Sequence, residues 1–148
     1  MWRNGDSVSK NRSPLVDTPI DVKIKLAALW TSVMFCYVYG DIFWFYKPGK
    51  LDEMLAGKMP PFSHVTQGVL LTTSVSMAIP ALMIFLSVAL KAKAGRWLNV
   101  VMGALYAVFV AVTMPGAWSF YLFFGSLDIL LTLLIVWNAW RWPRQGTT

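Results

Sequence analysis

Residues 118–140 read WSFYLFFGSLDILLTLLIVWNAW, and Asp128 is the only charged side chain in this run. An α-helix needs about 20 apolar residues to cross the roughly 30 Å hydrocarbon core of a bilayer. The run has that length, and it lacks the alternation of polar and apolar residues that marks a strand of a membrane β-barrel. It therefore predicts a membrane-spanning helix.

Three further runs have the same character, at about residues 24–46, 65–90 and 97–114. Apart from Lys25 at the edge of the first run, Asp41 is their only charged residue. A soluble domain carries about 25% charged residues spread along its length, so this segregation excludes an ordinary soluble domain. The sequence predicts an all-α integral membrane four-helix bundle over residues 23–143. We expect a flexible tail at residues 1–22 and a short tail at residues 144–148.

The distribution of basic residues predicts the orientation of the bundle. Ten of the 13 Lys and Arg residues lie in the terminal segments or between the second and third runs, and three lie on the other side. Basic residues accumulate on the cytoplasmic side of membrane proteins. We therefore expect the N-terminus and the C-terminus to be cytoplasmic. The same bias explains the net charge of +6 without a nucleic-acid partner.

Few residues are available for metal or covalent chemistry. Cys36 and His64 are the only cysteine and histidine in the chain, so we predict no zinc site, no intramolecular disulfide and no resident cofactor. Cys36 is interpreted as a small packing residue. No phosphate-binding glycine loop, nucleophile elbow or metal-binding helix motif is present, and we do not expect an enzyme.

Asp128 is the most informative residue of the fourth run. It lies ten residues after Trp118, which corresponds to about 15 Å along a helix and places it near the midplane of the bilayer. A charge at that depth costs roughly 2.5–3.5 kcal/mol on insertion scales. No Lys or Arg lies deep in any of the four runs, so we expect Asp128 to be protonated in the resting state.

Two polar groups are predicted at the same depth as Asp128. One is the hydroxyl of Tyr106, and the other is the carbonyl of Ser76, which loses its helical partner because Pro80 has no N–H. We predict an intramembrane polar site formed by Asp128, Tyr106 and Ser76. Two interpretations stay open: a hydrogen-bonded cluster that fixes helix register, or a functional proton or ligand site.

A second candidate site lies at the outer end of the bundle. Asp41 precedes Tyr46 by five residues, or about 7.5 Å. It is either an interfacial acid that orients the helix end or the mouth of a pathway leading to Asp128. His64 is interpreted as a loop residue, although its position permits a pH-sensitive pair with Asp41.

Several stretches resemble a known family. Residues 22–41 (VKIKLAALWTSVMFCYVYGD), 79–87 (IPALMIFLS), 96–99 (RWLN) and 135–140 (IVWNAW) resemble a family of small, mostly bacterial four-helix membrane proteins of unknown function. The resemblance covers roughly residues 20–143. It implies a multi-pass protein of the bacterial inner membrane and transfers no catalytic residues. The architecture alone is similar to DoxX-like proteins, some of which are associated with quinone or thiol redox chemistry.

Three functions follow as hypotheses. The first is an accessory or structural protein that binds lipid, a second copy of itself or another membrane protein. The second is a small proton-linked transporter or carrier with Asp128 as the titrating group. Small multidrug transporters also combine four helices with a membrane carboxylate, but theirs lies in the first helix. The third is a quinone-associated, DoxX-like redox subunit.

Overall fold

The computed structural model describes residues 18–59, 62 and 64–143. The predicted tail at residues 144–148 and most of the tail at residues 1–22 lie outside these residues. The described chain forms no β-strand. It consists of five helices: α1 (Val22–Phe45), α2 (Lys50–Leu55), α3 (Gln67–Ala89), α4 (Ala92–Thr113) and α5 (Ser119–Trp140). All except α2 are long and apolar enough to cross a membrane, which confirms the predicted all-helical membrane fold.

The four long helices form a ring in the order α1, α3, α4, α5, and each contacts the next. The contact between α3 and α4 is the smallest of the four. The chain alternates in direction, so the start of α1, the end of α3, the start of α4 and the end of α5 meet at what we call the terminal end. Helix α2 and the turn at residues 114–118 form the opposite, loop end. In that turn Gly116 takes a positive φ of 76°, which lets the chain reverse tightly after Pro115.

Lys23 ties two helices together at the terminal end. Its Nζ atom donates hydrogen bonds to the carbonyl oxygens of Val88 and Leu90, at 3.0 and 2.7 Å. The last carbonyls of a helix have no partner within the helix, and a cation there also complements the helix dipole. The start of α1 therefore caps the end of α3.

Helix α4 starts at Ala92, five residues before the predicted apolar run at residue 97. The additional residues include Lys93 and Arg96. The Arg96 guanidinium lies 5.8 Å from the Trp97 ring centroid and 5.6 Å from that of Trp140. Hydropathy marks the part of a helix that lies in lipid, whereas the helix itself continues into the polar interface.

The best-packed core lies toward the terminal end. Its fully or nearly fully buried members come from all four long helices: Leu26, Trp30, Val33, Met83, Tyr106, Ile135 and Ala139. Helices α4 and α5 approach each other closely at Gly103. A Cβ atom at this position would lie 2.9 Å from Val136 Cγ2 and 3.2 Å from the Thr132 carbonyl oxygen. Close approach at a small residue is typical of helix packing in membranes.

The outer surface of the ring is apolar. Large side chains such as Phe85, Val112 and Phe123 are exposed by 68%, 73% and 65%. Exposed apolar surface of this extent suits contact with lipid tails. Polar side chains that do not bond to their own helix must therefore find partners inside the ring, and these inward-facing groups position the candidate site.

Candidate functional site

A cavity of about 80 Å³ lies between the four long helices in the loop half of the bundle. Residues of all four helices line it, and they include two carboxylic acids and four aromatic rings. The lining consists of Cys36, Tyr37, Gly40 and Asp41 of α1, Met77 of α3, Phe109 and Val110 of α4, and Tyr121, Phe124, Gly125 and Asp128 of α5. We call this space the Asp128 cavity.

Asp128 is buried at the cavity wall with only 3% of its surface exposed. Its Oδ1 atom has no hydrogen-bond partner among the described residues. Within the described chain the sole ion pair joins Lys50 to Glu53, so no protein cation there compensates the carboxyl group. A buried carboxyl oxygen without a partner is costly, so it calls for an explanation such as a bound water, an ion or a functional role.

A second polar atom at this cavity is also without a partner. The Tyr37 hydroxyl is buried, and no described residue forms a hydrogen bond with it. A water molecule occupies roughly 30 Å³ in the liquid, so the Asp128 cavity has room for about three waters or a small polar solute. Asp128 and Tyr37, the residues that carry the two unpartnered atoms, both line this space.

The structure brings together two of the three predicted intramembrane residues. The Tyr106 hydroxyl donates a hydrogen bond to the Ser76 carbonyl at 2.6 Å, which is the carbonyl that Pro80 leaves without a helical partner. Neither residue lines the Asp128 cavity, and no hydrogen bond joins either of them to Asp128 within the described chain. Tyr106 therefore satisfies the α3 carbonyl that Pro80 leaves free, whereas Asp128 lines the cavity.

Of the two residues predicted at the outer end, Asp41 and His64, only Asp41 lines the cavity. Asp41 is exposed and also lines the Asp128 cavity, so the cavity extends from the deep carboxyl group to an accessible one. His64 is exposed in the loop before α3. Among the residues with described positions, no ion pair joins it to Asp41.

The sequence did not identify Cys36, Tyr37 or Tyr121 as members of the site. Their spacing offered a clue, because Cys36 and Gly40, like Tyr37 and Asp41, are four residues apart and share a helix face. Tyr121 occupies the same face of α5 as Asp128, seven residues away. Cys36 is buried, as expected of a packing residue, and its side chain also forms part of the cavity wall.

A second polar cluster lies in the terminal half and differs from the cavity. The Trp30 indole N–H and the Ser87 hydroxyl both donate to Asn99 Oδ1, at 2.8 and 3.0 Å. Asn99 Nδ2 donates to the Gly95 carbonyl at 2.8 Å. Trp30, Ser87 and Asn99 have no exposed surface. We call this cluster the Asn99 network; it joins α1, α3 and α4.

The loop end carries a cationic and aromatic cluster. Lys47 Nζ lies 5.0 Å from the ring centroids of both Trp44 and Trp118, within the range of a cation–π interaction. Lys50 is buried and pairs with Glu53. The hydrogen bond from Lys50 lowers the pKa of the Glu53 carboxyl. Tryptophan and lysine at this position suit the membrane interface.

The described residues contain no group of three or more His, Cys, Asp or Glu side chains placed to hold a metal ion. The model of a family described as a family of unknown function (DUF6326) matches residues 19–148. No curated protein and no solved structure matches the chain. The geometry of the Asp128 cavity therefore carries the functional reasoning.

Proposed function

The chain belongs to the DUF6326 family of unknown function, and on the geometry of its interior we propose that it is a small proton-linked carrier in which Asp128 binds and releases the proton. One observation carries the proposal. Asp128 is buried in the spanning region, has an oxygen atom without a partner, and faces a cavity that extends to the exposed Asp41.

The surroundings of Asp128 support proton exchange over a fixed charge. The titratable groups that line the cavity with it are Cys36, Tyr37 and Asp41 of α1 and Tyr121 of α5. None of these carries a positive charge that could balance a carboxylate, and the cavity residues from α3 and α4 do not titrate. A carboxylate in this setting gains stability from a proton or from a cation that enters the cavity.

The size of the Asp128 cavity favours a small guest over a quinone, and this supports the carrier proposal. Pockets for drug-sized ligands begin at roughly 300 Å³, whereas the Asp128 cavity measures about 80 Å³. A quinone ring exceeds that space. Protons, water and small cations fit it, and these are the species that a proton-linked carrier handles.

Infrared titration of the purified protein in lipid tests the proposal. We expect the C=O band of a protonated carboxyl group to disappear as the pH rises, and we expect Asp128→Asn to abolish that band. Asp41→Asn is the matched control, because it removes an exposed carboxyl group from the same cavity. A wild-type spectrum in which no carboxyl band depends on Asp128 at any pH contradicts the proposal.

Helix α3 supports a second candidate function, a partner-binding accessory protein. Only Pro80, Met83 and Ser87 of this helix are buried, and its contact with α4 is small. The exposed surface includes Thr72 and Ser74, and small polar residues of this kind favour contact between helices over contact with lipid. Cross-linking through Ser74→Cys in native membranes, with Val112→Cys of α4 as control, tests for a partner at this surface.

A further inference from the structure

We infer that the Asp128 cavity binds a small ammonium ion, of the size of methylammonium, as the species exchanged for the proton. This inference rests on the proposed carrier function and names its substrate class. It stands on the joint presence of aromatic rings, carboxylic acids and a small volume in the Asp128 cavity.

The aromatic lining favours a cation. Four rings border the cavity, those of Tyr37, Phe109, Tyr121 and Phe124. The face of an aromatic ring carries partial negative charge and attracts ammonium groups, and this attraction strengthens when water is excluded. The rings come from α1, α4 and α5, so they surround a guest on several sides.

The polar lining matches the donors of an ammonium ion. An ammonium group presents N–H donors and no acceptor. Asp128 Oδ1 and the Tyr37 hydroxyl are the two buried side-chain atoms without a partner in the described chain, and both have lone pairs to offer. No Lys, Arg or His lines the cavity, so no resident cation competes.

The exchange balances in charge and atoms. The Asp128 carboxylic acid releases its proton toward Asp41 and the aqueous end of the cavity, and the resulting carboxylate pairs with the incoming ammonium ion. One positive charge leaves and one enters. The buried site therefore never holds a net charge in either loaded state, which avoids the cost of an isolated ion in the membrane.

The volume sets an upper limit on the guest. At roughly 30 Å³ for each water-sized group, about 80 Å³ accommodates about three non-hydrogen atoms. Ammonium, methylammonium and dimethylammonium meet this limit. Tetraethylammonium does not, and it serves as a size control with the same charge.

Calorimetric titration of the full chain in lipid nanodiscs with methylammonium chloride tests the inference, at constant ionic strength set with sodium chloride. We expect binding with release of one proton. The apparent affinity should fall about tenfold for each pH unit of acidification while Asp128 is protonated. Asp128→Asn should weaken binding at least tenfold and remove its pH dependence, and tetraethylammonium should not bind.

A second variant tests the inference even if the Asp128→Asn protein fails to fold. Gly40 lines the cavity, and a Cβ atom added there meets nothing within 4 Å. We expect Gly40→Val to fill the cavity and abolish methylammonium binding with the fold intact. Gly68→Val is the control, because Gly68 is exposed on α3 and does not line the cavity.

The possible outcomes distinguish the inference from the carrier proposal. If the Asp128 carboxyl band titrates but methylammonium does not bind, the ammonium inference is wrong and the carrier proposal stands. If the band does not titrate, both fail. Methylammonium binding that survives Gly40→Val, or equal binding of tetraethylammonium, also overturns the inference.

Discussion

The Asn99 network and the Asp128 cavity are both polar, both buried and both built from facing helices, yet they differ in how their polar atoms are satisfied. In the network, the Asn99 oxygen accepts two hydrogen bonds and its amide group donates another. In the cavity, Asp128 Oδ1 and the Tyr37 hydroxyl have no partner among the described residues. A satisfied cluster stabilises the bundle, whereas polar side chains that line a cavity can bind a small solute.

The packing around the two regions differs in the same sense. The Asn99 network adjoins the buried core of the terminal half, and Trp30 belongs to both. The loop half instead contains the cavity. Membrane helices associate through close packing and interhelical hydrogen bonds, so we expect the Asn99 network to contribute more to the stability of the bundle than the residues around the Asp128 cavity.

The largest effect on stability is expected from Asn99→Ala, which removes the central residue of the Asn99 network. The change leaves the Trp30 indole N–H without an acceptor and opens a void, so we expect a loss of about 2–4 kcal/mol in the free energy of unfolding. Reversible unfolding in mixed micelles measures it. Asn138→Ala is the control, because the Asn138 amide bonds only to its own helix at Leu134. Equal losses of unfolding free energy in both variants would show that the Asn99 network contributes no more than a single side-chain bond within one helix.

The second-largest effect is expected from a substitution at Gly103, and Gly125 in the loop half provides the comparison. Gly103→Ala forces a Cβ against the α5 backbone, and we expect it to destabilise the bundle by about 1–3 kcal/mol. A Cβ at Gly125, beside the cavity, meets the flexible Met114 side chain at 3.3 Å, so Gly125→Ala should cost less. Thermal unfolding of both variants in the same detergent checks this order. A larger loss for Gly125→Ala would show that the loop half is the tighter one.

A smaller effect is expected from Tyr106→Phe, which removes the hydrogen bond to the Ser76 carbonyl. We expect a loss of about 0.5–1.5 kcal/mol. Replacing Pro80 by Ala restores a backbone N–H that can bond to this carbonyl, so Tyr106→Phe should cost much less in a Pro80→Ala background. A double-mutant cycle measures the difference, and strictly additive losses would contradict the role of Tyr106 as the partner of the carbonyl that Pro80 leaves free.

The smallest effect on stability is expected from Asp128→Asn. Asp128 Oδ1 makes no hydrogen bond, and asparagine keeps an oxygen that can still contact Cys36, so the free energy of unfolding should shift by less than about 1 kcal/mol. Unfolding under the conditions used for Asn99→Ala provides the comparison. A loss as large as that of Asn99→Ala would make Asp128 a structural residue and would erase the contrast between the two regions.

The fold could be predicted from the sequence because its cause is local. Four runs of about 20 apolar residues impose helices in a bilayer whatever their partners are. The hydrogen bond from Tyr106 to Ser76 could also be predicted. Pro80 frees a carbonyl at a known position, and counting residues along each helix gives the depth of that carbonyl and of Tyr106 in the membrane.

The full set of residues that line the cavity could not be predicted from the sequence, because it depends on how each helix is rotated about its axis. Depth placed Tyr106 level with Asp128, yet the rotation of α4 directs Tyr106 to α3 and leaves Phe109 and Val110 at the cavity. The sequence permitted a pair of Asp41 with His64, but whether the two residues meet depends on a loop path that hydropathy does not determine. Helical periodicity groups residues on one face but does not say which neighbour that face meets.

The order of the helices in the ring has a consequence for biosynthesis. The chain forms two helical hairpins, α1 with α3 and α4 with α5, and the contact between α3 and α4 that links them along the sequence is small. The Asn99 network and the bond from Tyr106 to Ser76 both cross from one hairpin to the other. Each hairpin can therefore enter the membrane as a unit before the two dock. Since α1 supplies Asp41 and α5 supplies Asp128, the cavity does not exist until the last helix has left the ribosome and docked.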